Sequence, residues 1–288
     1  GVNAHAGKGN AFVIEADEYD NMFLGLKPQI EVVTSLEHDH PDIFPTLESM
    51  YVSFEKFVDL IPDDGTLIVC AEDAGATALI PHARKKGINI VAYYIQNEMT
   101  ISSPYWVMTR AVKANQRGGF DFVVSSNLGP TGSDSVEVSL QVPGEHNVRN
   151  ALAVIAIVEL LGLSKEKAAA ALSKFTGTGR RFQLRGEAHG ISIFDDYAHH
   201  PTEIAATLAG ARARYPERRI WAVWQPHTYS RTQTLFLEFA RAFKDADEVI
   251  VTEVYAAREP KQDFTSAEVV SAMPHRSARY IETLPEVT

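Results

Sequence analysis

The sequence predicts an α/β protein built as two successive units, each around a mostly parallel sheet, with a small antiparallel patch in the first. Three observations carry this reading. Short β-branched and aromatic runs alternate with amphipathic stretches, the rhythm of βαβ units: strands are expected at 30–35, 65–70 and 88–93, with helices at 46–60 and 71–86. From 100 to 142 the pattern changes to period two, with turn signals at 117–119 and 129–132, which marks the antiparallel patch. After Arg181 a second βα series begins, with strands expected at 191–194, 220–224 and 248–252 and a strand-like run at 279–281.

Bulk properties narrow the function. The 288 residues suffice for two domains with sizeable cores. With 45% hydrophobic and 22% charged residues the chain has the composition of a globular protein. A net charge of −10 argues against broad attraction to nucleic acid or to an anionic membrane, while leaving local basic sites for a phosphate. The single cysteine, Cys70, closes the run LIVC and reads as a buried core thiol, with no partner for a disulfide. No apolar run approaches a membrane span and no signal peptide is visible, so a cytoplasmic location is expected. The chain begins with Gly1 and expects its first strand at 11–14, and it ends just after a strand-like run. Both ends therefore read as interior to something longer.

Taken in order, the opening GVNAHAGKGN invites a phosphate-loop reading that its spacing refuses. That loop needs Gly, four residues, then Gly-Lys-Ser/Thr. Gly1 to Gly7 is one residue too long, and Gly9 stands where the hydroxyl should be. Next, AFVI runs into Glu15, Asp17, Glu18 and Asp20, and the second strand runs into Glu37, His38, Asp39, His40 and Asp42. Two strand ends carrying oxygen-rich donors and a histidine suit Mg²⁺ or Mn²⁺ better than zinc. PGEHNVRN then opens a long apolar helix, 151–161. Asn147 and Asn150, three apart, share a face of its first turn and could pair with a purine edge. A further helix, 165–174, leads into FTGTGRRF, where two glycines and two arginines suit a hinge with a phosphate or ribose contact; a plain surface basic pair is the equal alternative.

The stretch ISIFDDYAHHPTE concentrates the most chemistry. A strand expected to be buried, 191–194, ends in Asp195, Asp196, Tyr197, His199 and His200, and Pro201 opens a helix. That is the edge of an open α/β sheet where ligands bind. WQPHTYSRT repeats the arrangement after the next strand, with His227, Thr228 and Arg231, and a helix running to 243.

The motifs EADEYD, LEHDHPDIF, PGEHNVRNALA, FTGTGRRF, DDYAHHPTE and WQPHTYSRT, in this order and across essentially the whole chain, resemble the Mur ligases of bacterial cell-wall synthesis. The resemblance implies an ATP-dependent amide ligase of three domains. This chain would begin inside the central ATP-binding domain, after its GTHGKT-type phosphate loop, and stop within the Rossmann-like C-terminal domain, with the boundary at 180/181. The implied cofactors are ATP and Mg²⁺. The implied substrates are UDP-N-acetylmuramate and L-alanine, because WQPHTYSRT favours the alanine-adding branch over the branch that recycles murein tripeptide. The implied roles are Glu15 for Mg²⁺, His40 for a second metal near the acyl phosphate, and Asn147 and Asn150 for adenine. Arg181 would serve the nucleotide phosphates and Asp196 the ribose. Tyr197, His199 and Arg231 would form the alanine pocket, with Arg231 suited to fork onto a carboxylate; His40 and Arg231 are thus the catalytic candidates. Thr228 stands where some members carry another arginine. The reaction would need closure of the two domains about a hinge at 178–182, and the chain by itself is expected to sample open arrangements. Without the phosphate loop, a non-catalytic nucleotide-binding module is the reading from another class.

Overall fold

The computed structural model describes residues 7–95, 103–129 and 134–287. Most of the expected turn at 129–132 and the start of GVNAHAGKGN lie outside the described residues.

The first unit is one mixed sheet with helices on both faces. Strands β1 (Ile30–Val33), β2 (Thr66–Cys70), β3 (Asn89–Ile95) and β4 (Tyr105–Thr109) run parallel in that order. The antiparallel patch follows: β6 (Phe120–Ser126) pairs with β4, with β5 (Lys113–Ala114) and with β7 (Asp134–Ser139). Strand β2 is buried along its length because period two splits it between two cores. Ile68 and Cys70 face the helix α4 (Glu145–Leu160), while Leu67 and Val69 face α1 (Leu47–Val58), α2 (Ala74–Ala78) and α3 (Ile80–Lys86). Helix α5 (Lys165–Leu172) packs beside α4 against β7. Cys70 is 2% exposed, the core thiol the sequence suggests.

Two local devices set the loop that leaves β1. Helix α1 starts at a capping box between Thr46 and Ser49. At α2, Asp73 caps the N–H of Ala76 and also accepts the N–H of Leu36 at 3.0 Å. Gly75 allows that approach: a Cβ there would stand 1.9 Å from the Leu36 carbonyl oxygen.

The strand expected at 11–14 does not form. Phe12 and Val13 are 86% and 84% exposed. β1 pairs with β2 on one side, and among the described residues no strand lies along its other edge, so 11–14 has no ladder to join. The acidic run therefore continues as extended chain into a 3-10 helix, Tyr19–Gly25. Phe23 anchors that helix, stacked on Phe57 at 4.5 Å.

In the second unit, β10 (Trp221–Trp224), β11 (Glu248–Val251) and β12 (Ala278–Tyr280) form a parallel sheet. Around its core pack α6 (Pro201–Arg214), α7 (Tyr229–Thr234), α8 (Phe236–Arg241) and α9 (Ser266–Ala272). The expected buried strand 191–194 is a strand but not a buried one. It is β9 (Ile191–Asp195), hairpinned antiparallel to β8 (Gln183–Ala188), with Ile191 and Ile193 more than half exposed. β-Branched composition reports a pleated backbone, and burial needs a second layer that a two-stranded ribbon lacks on one face.

One buried group has a measurable consequence. Glu31 on β1 is 2% exposed and neither of its carboxylate oxygens has a hydrogen-bond partner. Burial pushes its pKa up to about 9, with Lys86 pulling weakly the other way. The folded-state value lies above the ordinary 4.5, so stability is fullest below that value and drains away as pH rises towards 9. Glu31→Met is expected to raise stability near pH 8 by on the order of 2 kcal/mol and to flatten this slope. Urea denaturation across a pH series checks it, and an unchanged slope would contradict the neutral buried acid.

Candidate active site

A cavity of about 1280 Å³ lies between the units, walled by the strand-end loops of both. From the first unit come the extended acidic segment and the loop after β1. Within that loop His40 takes a left-handed backbone (φ 50) and its carbonyl accepts the N–H groups of Ile43 and Phe44, both at 2.8 Å. The tight turn aims Asp39 and His40 at the second unit. From that unit come the hinge, the loop before α6, and α7.

The walls are joined by charge. The Arg231 guanidinium, 4% exposed, donates Nε–H to Asp39 Oδ1 at 2.6 Å, across 192 residues of sequence. Its Nη1 faces His227 Nδ1 at 3.2 Å and its Nη2 faces His40 Nδ1 at 3.3 Å. His40 Nε2 in turn meets Glu18 Oε1 at 3.2 Å. Around this centre Glu37 pairs with His200 Nδ1 at 3.2 Å and accepts from the Thr202 hydroxyl. Arg258 binds Asp42 and lies 4.6 Å over the Tyr19 ring.

The pKa directions follow from these contacts. Burial alone would raise Asp39, but the hydrogen bond and charge of Arg231 reverse it and hold the carboxyl below its usual range. Glu18 is lowered chiefly by its hydrogen bond to His40. Burial pulls His40 down, yet Glu18 and Asp39 outweigh both that and the repulsion from Arg231, so its pKa is raised. His227 is lowered by burial and by the Arg231 charge.

The residues singled out in the sequence are brought together unevenly. Glu15, His40, Arg181, Asp196, Tyr197, His199 and Arg231 all line the cavity. Glu15 is exposed, and Glu18, not Glu15, partners His40. Asp196 serves as a clamp: its carboxylate accepts the N–H groups of Phe182 at 2.7 Å and Ala198 at 2.8 Å, pinning the hinge to the loop. In that hinge Arg180 and Phe182 both hold positive φ, 58 and 47, a sharp reversal that the clamp maintains. Arg181 bonds Glu203 at 3.0 Å. Tyr197 is stacked by the Arg180 guanidinium at 4.6 Å, and His199 lies edge-on to it at 5.2 Å.

Asn147 and Asn150 do not line this cavity. Helix α4 starts at Glu145, earlier than expected, with its N-terminal end against α6: a Cβ on Gly210 would lie 3.4 Å from the Gly144 nitrogen. The Asn147 amide is engaged by the Pro143 carbonyl at 2.7 Å. Among the described residues no group of three or more His, Cys, Asp or Glu side chains is placed to hold a metal. Sequence reading missed the roles of Glu18, Asp39 and Arg258, although Asp39 lay inside a motif already marked.

Two α/β units, the first around a mostly parallel mixed sheet and the second around a parallel one, face each other across a cleft of carboxylates, histidines and arginines, which defines a class of α/β proteins with a ligand-type cleft at their strand ends. Comparison with known sequences and structures specifies it. The family model described as Mur ligase middle domain matches residues 3–158, and the one described as Mur ligase, glutamate ligase domain matches 180–288. The chain belongs to the Mur ligase family. It is 41% identical over 271 residues to the UDP-N-acetylmuramate–L-alanine ligase of Renibacterium salmoninarum, covering 94% of this chain and 56% of that protein. To the protein of that name in Salinibacter ruber it is 40% identical over 295 residues, covering 100% of this chain and 58% of the relative. The chain thus spans little more than half the length of the curated relatives it matches. The crystal structure of UDP-N-acetylmuramate-alanine ligase from Thermotoga maritima superposes with a TM-score of 0.65 at 27% identity, covering 93% of this chain and 54% of that one. A murein peptide ligase from Psychrobacter arcticus gives 0.62 at 26%, covering 92% and 52%. No described helix is long and apolar enough to cross a membrane.

The cross-cleft contacts predict a pH dependence for closure. Asp39, which burial would raise and Arg231 across the cleft holds down, stabilises closure above its ordinary 3.8, and that share is lost as pH falls through the lowered value. Burial and the Arg231 charge both lower His40, and the groups that raise it, Glu18 and Asp39, lie on its own unit, so its protonation does not favour closure. Small-angle scattering should therefore give a small radius of gyration from mildly acidic pH upward, with expansion in acid. Asp39→Ala should expand the particle at neutral pH as well. A radius independent of both pH and this substitution would contradict the assignment.

Proposed function

We propose that this chain carries the ATP-facing and amino-acid-facing walls of an ATP-dependent amide ligase that joins L-alanine to the lactyl carboxylate of UDP-N-acetylmuramate. The observation that carries the reading is Arg231, delivered from the second unit to within hydrogen-bond distance of Asp39 and His40 in the first. The names of the relatives at about 40% identity support the choice of substrates.

The chemistry joins reactants of like charge. The lactyl carboxylate attacks the γ-phosphate of ATP, ADP leaves, and an acyl phosphate forms. The neutral amine of alanine then attacks the acyl carbon; the tetrahedral intermediate collapses and phosphate departs. Cationic groups must therefore be ready where anions meet. Arg181 is the cation beside the hinge, suited to nucleotide phosphates once Glu203 yields it. Arg231 is suited to the alanine carboxylate, which would take the place of Asp39 on the guanidinium. His40, between Glu18 and Arg231, can hold a proton near the acyl phosphate. Tyr197 and His199 close the amino-acid side. In this reading Asn147 and Asn150 would meet adenine beside α4, outside the cleft itself.

Mg²⁺ usually binds through one or two carboxylates together with substrate phosphates. Glu15, an exposed carboxylate on the cavity wall, fits that mode. His40 does not fit as a ligand in the observed arrangement, since both its ring nitrogens face other residues. When bound, the ion would screen phosphate charge. This reading also places the protein in the cytoplasm, where ATP is available.

The test is ADP release by the full-length gene product, requiring ATP, UDP-N-acetylmuramate and L-alanine together. Turnover with murein tripeptide in place of alanine would move the assignment to the recycling branch, and nucleotide binding without turnover would leave a binding module. In the active enzyme Glu15→Ala should lower kcat by about a hundredfold or more and raise the Mg²⁺ requirement, with the thermal midpoint preserved. Wild-type rates would remove the metal role.

A further inference from the structure

Helix α7 carries Arg231 but has no side-chain cap of its own. Its N-cap, Thr228, makes no capping hydrogen bond with its side chain and sits at φ 65, a backbone region a threonine rarely occupies. The free N–H groups of the first turn are instead taken from a distance. The Glu259 carboxylate, on the loop after β11, accepts Tyr229 N–H at 2.5 Å, Ser230 N–H at 3.1 Å, and the Ser230 hydroxyl. The backbone reinforces this join. Tyr255 N–H donates to the Pro226 carbonyl at 2.8 Å, and Thr228 N–H to the Tyr255 carbonyl at 2.9 Å.

The same loop touches the other unit. Arg258, next to Glu259 in sequence, donates to Asp42 and covers the Tyr19 ring. Tyr19 also donates its hydroxyl to Asp42, at 3.1 Å. One side chain of this dipeptide thus grips the first unit, while its neighbour grips the helix that presents Arg231.

We propose that Glu259 is the positioning residue for Arg231, and that the Arg258–Glu259 pair ties the presentation of that guanidinium to closure of the cleft. The inference rests on the functional reading above for its substrate. Glu259 touches no reactant. It replaces the missing local cap with a carboxylate, fixes the strained turn at Thr228, and so sets the direction in which Arg231 leaves α7. Arg258 adds the condition that the first unit be in place. The separation of roles has a kinetic signature: a misdirected Arg231 weakens capture of the amino acid and leaves the phosphorylation of the first carboxylate intact.

The experiment compares Glu259→Ala, Glu259→Asp, Arg258→Met and the Glu259→Ala/Arg258→Met double variant in the full-length enzyme. KM for L-alanine, KM for ATP, kcat and thermal midpoint are measured, with amide hydrogen exchange at Tyr229 and Ser230. Glu259→Ala is expected to raise KM for L-alanine roughly tenfold while KM for ATP and kcat stay within about twofold. Exchange protection at the two amides should fall, and Glu259→Asp should recover part of both effects. Arg258→Met should raise the same KM, and the double variant should be no worse than Glu259→Ala, as expected for residues acting along one path. An unchanged KM for alanine, or KM values for alanine and ATP rising together with a lowered thermal midpoint, overturns the inference alone. So does unaltered amide protection. A wild-type enzyme that ligates no alanine overturns the functional reading and this inference with it.

Discussion

Arg231 is an arginine that folding has removed from water, and most of the cleft is arranged around that fact. A guanidinium does not deprotonate, so a buried one must be matched by an anion or it costs several kcal/mol. Its match, Asp39, belongs to the other unit and is itself mostly buried. Neither partner is placed by its own neighbours alone. Asp39 is aimed by the turn at His40 and by the loop that Asp73 and Gly75 hold close to α2. Arg231 is aimed by a helix whose first turn is held by Glu259. Removing either charge leaves the other uncompensated, a loss of about 3–5 kcal/mol for a buried pair.

This pairing also explains why the cleft can be rich in charge and still closed. Three arginines facing the cavity are matched within it, Arg231 by Asp39, Arg258 by Asp42 and Arg181 by Glu203, while Arg180 pairs with Asp195 beside it. The exposed pairs contribute little stability, since solvent screens them. They keep guanidinium groups oriented towards the cavity at low cost, so on the proposed function an incoming carboxylate or phosphate would exchange one anionic partner for another. That exchange is cheaper than gathering a disordered arginine from water. The Asp196 clamp does the matching work on the backbone, holding two left-handed residues of the hinge against the loop that carries Tyr197 and His199.

Parts of this were legible in the sequence for definite reasons. β2 and β3 could be read because they are bounded by turn residues and are apolar on both faces. The site loops could be read because polar residues crowded onto the ends of such strands. The failures share a cause. At 11–14 and 191–194 the residues have strand character, but whether a strand pairs or is covered depends on neighbours that local pattern does not specify. The same holds for Asp39 with Arg231 and for Glu259 with α7. Their composition was visible, but partners separated by 192 and by about thirty residues leave no periodic trace. Asn147 and Asn150 do lie near a helix start, with α6 packed against that start, but they do not line the cavity.

The chain handles two deeply buried side chains, Glu31 and Arg231, in opposite ways. Glu31 has no hydrogen-bond partner and can give up its charge, so it sits neutral in a core at a cost in stability that grows as pH rises above 4.5 towards 9. Arg231 has no such exit. Burying it commits the fold to an anion at that spot, whether Asp39 or something that replaces it. A residue that served only to fill the core would be replaced without loss by an apolar side chain, since buried ion pairs add little net stability over well-packed hydrophobes. On the proposed function, a permanently charged fork held at the junction of two units would gain its value from what it can exchange Asp39 for, and a carboxylate reactant has the matching charge and geometry.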